Sequence, residues 1–547
     1  LQIRSFKILG KRPPNFWVWA AFAVIAVLGI PIYTVVFGLI PGPGANWNHL
    51  ATYLLPDYLI NSVWLVLGTV ILSLLWGVPS AWLVSIYSFK GRRVLEWLLI
   101  LPLTIPTYIM AFTYAGIFDY AGPVQTILRQ KLNLNLAANL DILNLKGAIF
   151  VLSLALFPYV YVTCRAAFLT RFQSLIEVSR MLGATSTRTF FKVILPVSRP
   201  ALVAGLTLVI MEVLNDYGAV KYYGVRTFTT GIFRSWFSYE DQQGALYLSA
   251  LLLLLVFLAL GLEYWQRGAS GFQSQTANER PPQRLQIKGT KAIWVTLACA
   301  LPAVLGFLFP LMQLIYWSFQ SISGVDFPNL GVMILNSFSL AAVAALGCVL
   351  VAVLLLFALQ MRPGPLLKTG AKFATMGYAV PGAVIAIGVL IFFLLLDKSL
   401  IALVLSWGWS NPGLIITGSV TGLIFAYVVR FLAVAYGPVE SGFTRLGRPL
   451  YEAGQMLGTG SWRFLTSINL PLLKGVLLSA GLLVFVDVLK ELPLTLILRP
   501  FNFNTLATRA FELASDELVA AAATPSLVII VTGLLPIIFL NRLITKA

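Results

Sequence analysis

Four carboxylates stand where this sequence offers least water. Glu212 and Asp216 close one long apolar run, Asp487 and Glu491 close another, and the two acids of each pair are four residues apart. On a continuous helix an i, i+4 spacing puts both acids of a pair on one face. An ionised side chain at the centre of a membrane span costs about 3 kcal/mol on insertion scales, so such residues line a cavity or pair with one another. Carboxylate oxygens suit small hard cations, and the nearby phenols of Tyr217, Tyr222 and Tyr223 add further oxygen donors. The chemistry on offer is a transient cation path lined by Glu212, Asp216, Tyr217, Asp487 and Glu491, with the four acids as metal-contacting groups that must also release what they bind. Lys490 supplies the alternative: it stands between Asp487 and Glu491 and can neutralise either one internally.

A second constellation is duplicated in polar loops. Glu177-Val-Ser-Arg-Met-Leu-Gly183 runs on to Leu195-Pro196, and Glu452-Ala-Gly-Gln-Met-Leu-Gly458 runs on to Leu470-Pro471. Glu to Gly is six residues and Glu to Pro nineteen in both copies. Leu175, Val178 and Leu182, like Leu450, Ala453 and Leu457, recur at i, i+3 and i+7, which draws one apolar stripe along a short helix. Gly183 and Gly458 permit a left-handed turn at its end, and Pro196 and Pro471 are expected to close the loop before the next span. A single copy fits equally well an amphipathic helix lying on its own bundle or on the lipid surface. Two copies at identical spacing fit a pair of docking points for a two-fold partner.

The elements that must carry these residues are membrane helices. The 547 residues are 59% hydrophobic and only 11% charged, far from the roughly 25% charged of soluble domains. Windows of about 20 apolar residues, the length that crosses a bilayer, fall near 16–40, 60–86, 94–118, 147–169, 199–219 and 245–265, then near 292–317, 337–360, 373–396, 413–436, 474–496 and 523–545. The first of these is too long for the core of a signal peptide and is read as a span. Between the sets lies a polar Gln, Ser, Asn and Pro stretch, so the chain divides into a first half, 1–267, a linker, 268–290, and a second half, 291–547. The net charge of +18 is spread over alternate loops, among them Lys90-Gly91-Arg92-Arg93, Arg171 to Arg199, the linker and Arg445 to Lys474. That pattern obeys the positive-inside rule, puts both termini in the cytoplasm and argues against a nucleic-acid partner.

The halves repeat. Asn61-Ser62 and Asn336-Ser337, Pro106 and Pro381, Glu177 and Glu452, Gly183 and Gly458, Pro196 and Pro471, Phe228 and Phe503, and Arg234 and Arg509 all differ by 275. The expected fold class is therefore an all-α polytopic membrane protein of about twelve transmembrane helices in two parallel repeated halves facing each other across a pathway. Catalysis is not expected. His49 is the sole histidine, Cys164, Cys299 and Cys348 are isolated in apolar sequence, and no G-x-x-x-x-G-K-[ST] phosphate loop occurs. This chain should bind no cofactor of its own.

The duplicated loop resembles the EAA loop of binding-protein-dependent ABC importer permeases, with Glu177-Val-Ser and Glu452-Ala-Gly in place of Glu-Ala-Ala. Asn215 to Phe233 and Lys490 to Phe501 narrow the resemblance to the fused permeases of ferric-iron importers of the type I architecture, in the bacterial inner membrane. It implies two copies of an ABC ATPase subunit gripping Glu177, Gly183, Pro196, Glu452, Gly458 and Pro471, with ATP and Mg used by that partner. It also implies a periplasmic or extracellular ferric-iron-binding protein delivering substrate. A fused permease for thiamine or another small solute shares this architecture. A secondary transporter driven by an ion gradient shares the parallel halves but has no need of twin docking loops.

Overall fold

The computed structural model describes residues 16–132, 141–170, 175, 178–179, 181–267 and 284–546. Ten of its helices are long and apolar enough to cross a membrane, and the number rises to twelve when each of two further helix pairs, bent by 97° and 70°, is counted as one broken span. Their outward faces are apolar: Trp64, Ile71 and Leu75 on the Leu55–Ile86 helix, and Leu335, Leu346 and Leu350 on Phe327–Met361, are exposed. A surface of that kind is at equilibrium only in lipid. The one sheet among the described residues is a two-residue parallel ladder, Tyr87–Ser88 against Leu285–Gln286. Residues 268–283 of the expected linker lie outside the described residues. Its last part is ordered by that ladder, and the next helix already begins at Thr290.

The repeat is visible in the elements. The helices ending at Ile86 and Met361, the wide helical turns Phe190–Ile194 and Leu465–Asn469, and the short helices starting at Gly218 and Pro493 all recur at the one offset read from the sequence. Beyond them the offset changes. Thr227 with Thr230 and Thr505 with Thr508 form matching capping boxes, and these stand farther apart than the preceding helix starts by three positions (505 − 227 against 493 − 218). The short helix Pro493–Leu498 is one residue longer than its counterpart Gly218–Tyr222, and the loop after it, Arg499–Asn504, is two residues longer. Phe503 and Arg509 are not the structural counterparts of Phe228 and Arg234, and a uniform offset fails there because the longer loop restores the helix start by its cap and not by its residue count.

The prolines of the duplicated loop also sit differently from expectation. Pro196 and Pro471 lie inside helical segments, each just past a wide i→i+5 turn, so they do not terminate a loop. Proline lacks the N–H that a regular turn would use, and widening the preceding turn accommodates it without breaking the helix.

The halves are interlocked. The first helix, Phe16–Phe37, packs on Gly382–Ser406 of the other half, and Phe309–Ser321 packs on Thr107–Phe118. Without a hydrophobic drive between helices in lipid, such contacts depend on close backbone approach. Gly388 meets the Pro31 carbonyl with no room for a Cβ. Gly388→Val should therefore cost about 1–3 kcal/mol by overpacking and lower the melting temperature of the detergent-solubilised chain. Gly261→Ala, where the space is open, should be neutral or stabilising by about 0.5–1 kcal/mol.

Candidate translocation pathway and coupling surface

Four breaks in the helices meet at one level between the halves. Residues 104–106 and 378–381 interrupt one pair of spans, 216–217 and 490–492 another. They enclose a cavity of about 110 Å³, room for several waters. Its lining includes Glu212, Asp216, Tyr217, Asp487 and Glu491, the five residues singled out from the sequence. Irregular backbone at membrane depth is tolerated where it lines a cavity or is satisfied by protein, and at these breaks protein groups accept from the freed N–H groups.

The acids divide into two kinds. Asp216 does not continue the helix face of Glu212, because Arg199–Asn215 ends just before it and its backbone turns extended (ψ 130°). Its Oδ1 accepts from the N–H groups of Ala219 and Val220 at 3.0 and 3.1 Å, and its Oδ2 from the Thr107 hydroxyl at 2.5 Å. Glu491 does the same in the second half, accepting from the N–H groups of Leu494 and Thr495, both at 3.2 Å. Each of these buried acids caps the short helix that follows, where the amide dipoles favour a negative charge. The i, i+4 argument for a shared face thus fails for both pairs, since the helix stops between their members.

Glu212 and Asp487 face the cavity from the preceding helices. Glu212 accepts from the hydroxyls of Tyr159 at 3.4 Å and, from the other half, Tyr378 at 3.3 Å. Asp487 pairs with Lys490 at 2.8 Å, the neutralisation that the sequence left open. Arg430, buried in the cavity wall, stands 3.9 Å from Glu491 and donates to Asn215 Oδ1 at 3.0 Å, while the Gly382 N–H donates to the same oxygen at 2.7 Å. Asn215 thereby ties the two halves together across the pathway.

Gly382 is required for this. A Cβ there would strike the Arg430 guanidinium and come within 2.9 Å of Glu491 Oε1. By the offset of the repeat its counterpart is Thr107, whose hydroxyl serves Asp216, and the counterpart of Arg430 is Ala155. The two acids are thus stabilised by different means in a repeat whose backbone is the same.

Among the described residues no three His, Cys, Asp or Glu side chains are close enough to hold one metal ion. Glu212, Asp216, Asp487 and Glu491 line a common cavity as partnered groups and do not form a ligand cluster. Of the expected tyrosines only Tyr217 lines the cavity, stacked on Phe233 at 3.6 Å. Tyr223 donates to the Ala111 carbonyl and Tyr222 packs near Phe112, both outside it. Sequence reading missed Tyr108, Tyr159, Tyr378 and Arg430, which line it. The Tyr108 hydroxyl is buried without a hydrogen-bond partner. Four carboxylates against Arg430 and Lys490 leave the cavity walls with an excess of acid.

At one end of the bundle the duplicated loops present matching turns. Gly183 and Gly458 adopt φ of +77° and +75°, the left-handed conformation expected of them. The residues just before each protrude: Met181 and Leu182 are 87% and 80% exposed, Met456 and Leu457 91% and 84%. The apolar stripe is not buried on its own bundle, since Val178, Leu182, Ala453 and Leu457 are exposed and only Leu175 and Leu450 are half-buried. The face that packs inward carries Tyr451, stacked edge-on against Phe357 and Phe464. Glu452 does not cap the turn and pairs with Arg448 at 3.0 Å. Glu177 lies outside the described residues. Pro196 and Pro471 are exposed on the helices leading away.

Residues 73–267 match the family described as binding-protein-dependent transport system inner membrane component. With capacity for up to twelve membrane helices, a central polar cavity and twin exposed turns, the chain has the build of a multi-pass membrane protein and resembles the permease subunits of binding-protein-dependent importers. It is 24% identical over 541 residues, 97% of this chain and 99% of the relative, to the Fe(3+)-transport system permease protein FbpB 2 of Haemophilus influenzae. It is 27% identical over 213 residues, 37% of this chain and 91% of the relative, to the molybdenum transport system permease protein ModB of Haemophilus influenzae. Over 145 residues, 26% of this chain and 50% of the relative, it is 31% identical to the sulfate transport system permease protein CysT of Salmonella typhimurium. The likeness to the Fe(3+)-transport permease protein thus extends along almost the whole chain.

The division between capping and cavity-facing acids is open to measurement. Asp216→Asn should lower stability by about 1–2 kcal/mol through the weakened cap, read as a drop in melting temperature. Glu212→Gln, which still accepts from two phenols, should melt like the parent. Asp487→Asn should destabilise by stranding Lys490, and adding Lys490→Met should restore much of the loss.

Proposed function

We propose that this chain translocates ferric iron, handed over by an external iron-binding protein, by alternating access driven by two copies of a separate ABC ATPase subunit. The observation that carries the reading is the pair of protruding Met-Leu-Gly turns, Met181 to Gly183 and Met456 to Gly458, related by the repeat and left uncovered by their own bundle. Apolar side chains so exposed on a two-fold pattern fit grooves of a two-fold partner. ATP and Mg belong to that partner, and this chain carries no cofactor. The halves 1–267 and 291–547, joined through 268–290, rock against each other as the ATPase pair closes. Both termini then lie in the cytoplasm with the coupling turns.

Glu177, Gly183 and Pro196, with Glu452, Gly458 and Pro471, form the two coupling loops in this reading. The protruding Met and Leu residues engage the ATPase, and the glycines set the turn. Glu212, Asp216, Tyr217, Asp487 and Glu491 line the route. Glu212 and Asp487 contact the passing cation, while Asp216 and Glu491 hold the backbone breaks that keep the route open to water. An all-oxygen donor set with excess negative charge favours a hard cation. The likeness to a ferric permease along the full chain supports the same substrate.

Purified chain co-expressed with its ATPase and reconstituted in proteoliposomes should take up ferric iron only with ATP and the binding protein. Glu212→Gln should slow uptake at least about tenfold, the cost of one charge-assisted contact. Uptake of thiamine or an oxyanion in its place would overturn the substrate and leave the permease. Uptake driven by an ion gradient without ATPase would overturn the mechanism. Gly183→Pro with Gly458→Pro should abolish co-purification of the ATPase while the bundle still melts cooperatively.

A further inference from the structure

Arg92, Arg93 and Arg284 converge on a groove at the end of the Leu55–Ile86 helix, remote from the central cavity. One wall is the turn from Ser88 to Val94, the other Arg284 and Gln286. The walls are stitched together by the ladder pairing Tyr87 with Leu285 and Ser88 with Gln286, and the Ile287 N–H donates to the Ser88 carbonyl at 3.2 Å. The segment that joins the halves is thereby fastened to the first half, with Arg284 held over the turn.

The charges in this groove do not balance. Glu96 pairs with Arg92 at 2.7 Å and also with Arg165, while Arg93 and Arg284 have no ion pair among the described residues. The one carboxylate thus serves two of the four guanidinium groups and leaves Arg93 and Arg284 without a counter-charge among the described residues. The Nε atoms of Arg165 and Arg284 are buried without a hydrogen-bond partner. Burial first, then the charges of Arg92 and Arg93, push the Arg284 guanidinium below its ordinary pKa. Buried donors are normally satisfied, and like charges are not held together without a counter-ion. Guanidinium forks match the geometry of a tetrahedral oxyanion, whose oxygens accept two parallel N–H bonds from each.

Two placements narrow the class of anion. The groove opens beside exposed Val94, where apolar helix surface gives way to polar loop, a boundary of the kind that meets lipid headgroups. It also lies on the face of the coupling turns, because Trp82, one turn from the helix end, meets Phe168 and Phe190 at 5.7 and 5.0 Å. The repeat offers no second copy: at its offset Arg92 and Arg93 become Leu367 and Lys368, and Arg284 comes from the linker, which occurs once. We propose that the groove formed by Arg92, Arg93 and Arg284 binds one phosphate-bearing anion per chain, an anionic phospholipid headgroup or free phosphate, and that its occupancy pins the linker to the first half.

The test is thermal unfolding of the intact chain in a neutral detergent at constant ionic strength set with chloride. It is titrated separately with short-chain phosphatidylglycerol, short-chain phosphatidylcholine and inorganic phosphate. The parent should show a saturable rise in melting temperature with phosphatidylglycerol, with phosphate or with both. Phosphatidylglycerol alone identifies the lipid headgroup as the source, and an equal response to phosphate identifies the free ion. Arg93→Gln with Arg284→Gln should need at least roughly tenfold more of the active probe, the loss of two forked contacts, and Lys131→Gln, on an exposed helix elsewhere, should respond as the parent does. Should the double variant fail to fold, Arg93→Gln alone, an exposed residue, should weaken the response several-fold. No saturable response to any probe, or identical titrations for parent and Arg93 variants, overturns the proposal.

Discussion

The satisfaction of backbone groups at membrane depth is the constraint on which the rest of this structure depends. Opening a polar route between two bundles requires the helices to break, and each break frees N–H and C=O groups where lipid cannot hydrogen-bond them. Asp216 and Glu491 answer this directly, each capping the short helix after a break, and Asn215 takes up the freed N–H of Gly382 from the opposite half. The acids that look from sequence like a uniform set of cation ligands therefore have a prior duty. Two of them cap the short helices after the breaks, and the other two, partnered by phenols and by Lys490, face the cavity.

The cavity is also where the repeat departs from symmetry. Thr107 serves Asp216 in one half, while Gly382 makes room for Arg430 to approach Glu491 in the other. Glu212 is held by neutral phenols and Asp487 by Lys490. In the proposed reading, a cation crossing between the halves meets a weakly neutralised wall on one side and a paired wall on the other. That difference favours passage over capture, because no ion is offered a complete set of unengaged ligands.

The opposite logic governs the coupling turns, which are alike in the two halves. Gly183 and Gly458 share one backbone conformation and carry equally exposed Met-Leu pairs. The two-fold energy-supplying partner of the proposed mechanism would need two equivalent handles, whereas the route between them has no such requirement. Interlocking of the first helix of each half with the other half lets motion at the handles reach the whole bundle, since close-packed helices move as rigid bodies.

Much of this was legible in the chain itself. Apolar run lengths indicated the spans, recurrence at an offset that holds as far as the short helices at Gly218 and Pro493 the two parallel halves, and Glu-to-Gly spacing the paired turns, because each rests on periodicity or on a residue with a special backbone freedom. The acids of the pathway were found by type, since charge in an apolar run is conspicuous. Their roles were not, and neither were Tyr159, Tyr378 and Arg430, which look like ordinary residues of separate spans. Whether Asp216 caps a helix or faces a cation depends on where the helix stops, and whether Lys490 or Arg430 neutralises a neighbour depends on which spans lie against each other. Those are contacts between segments far apart in sequence, and only the packed bundle decides them.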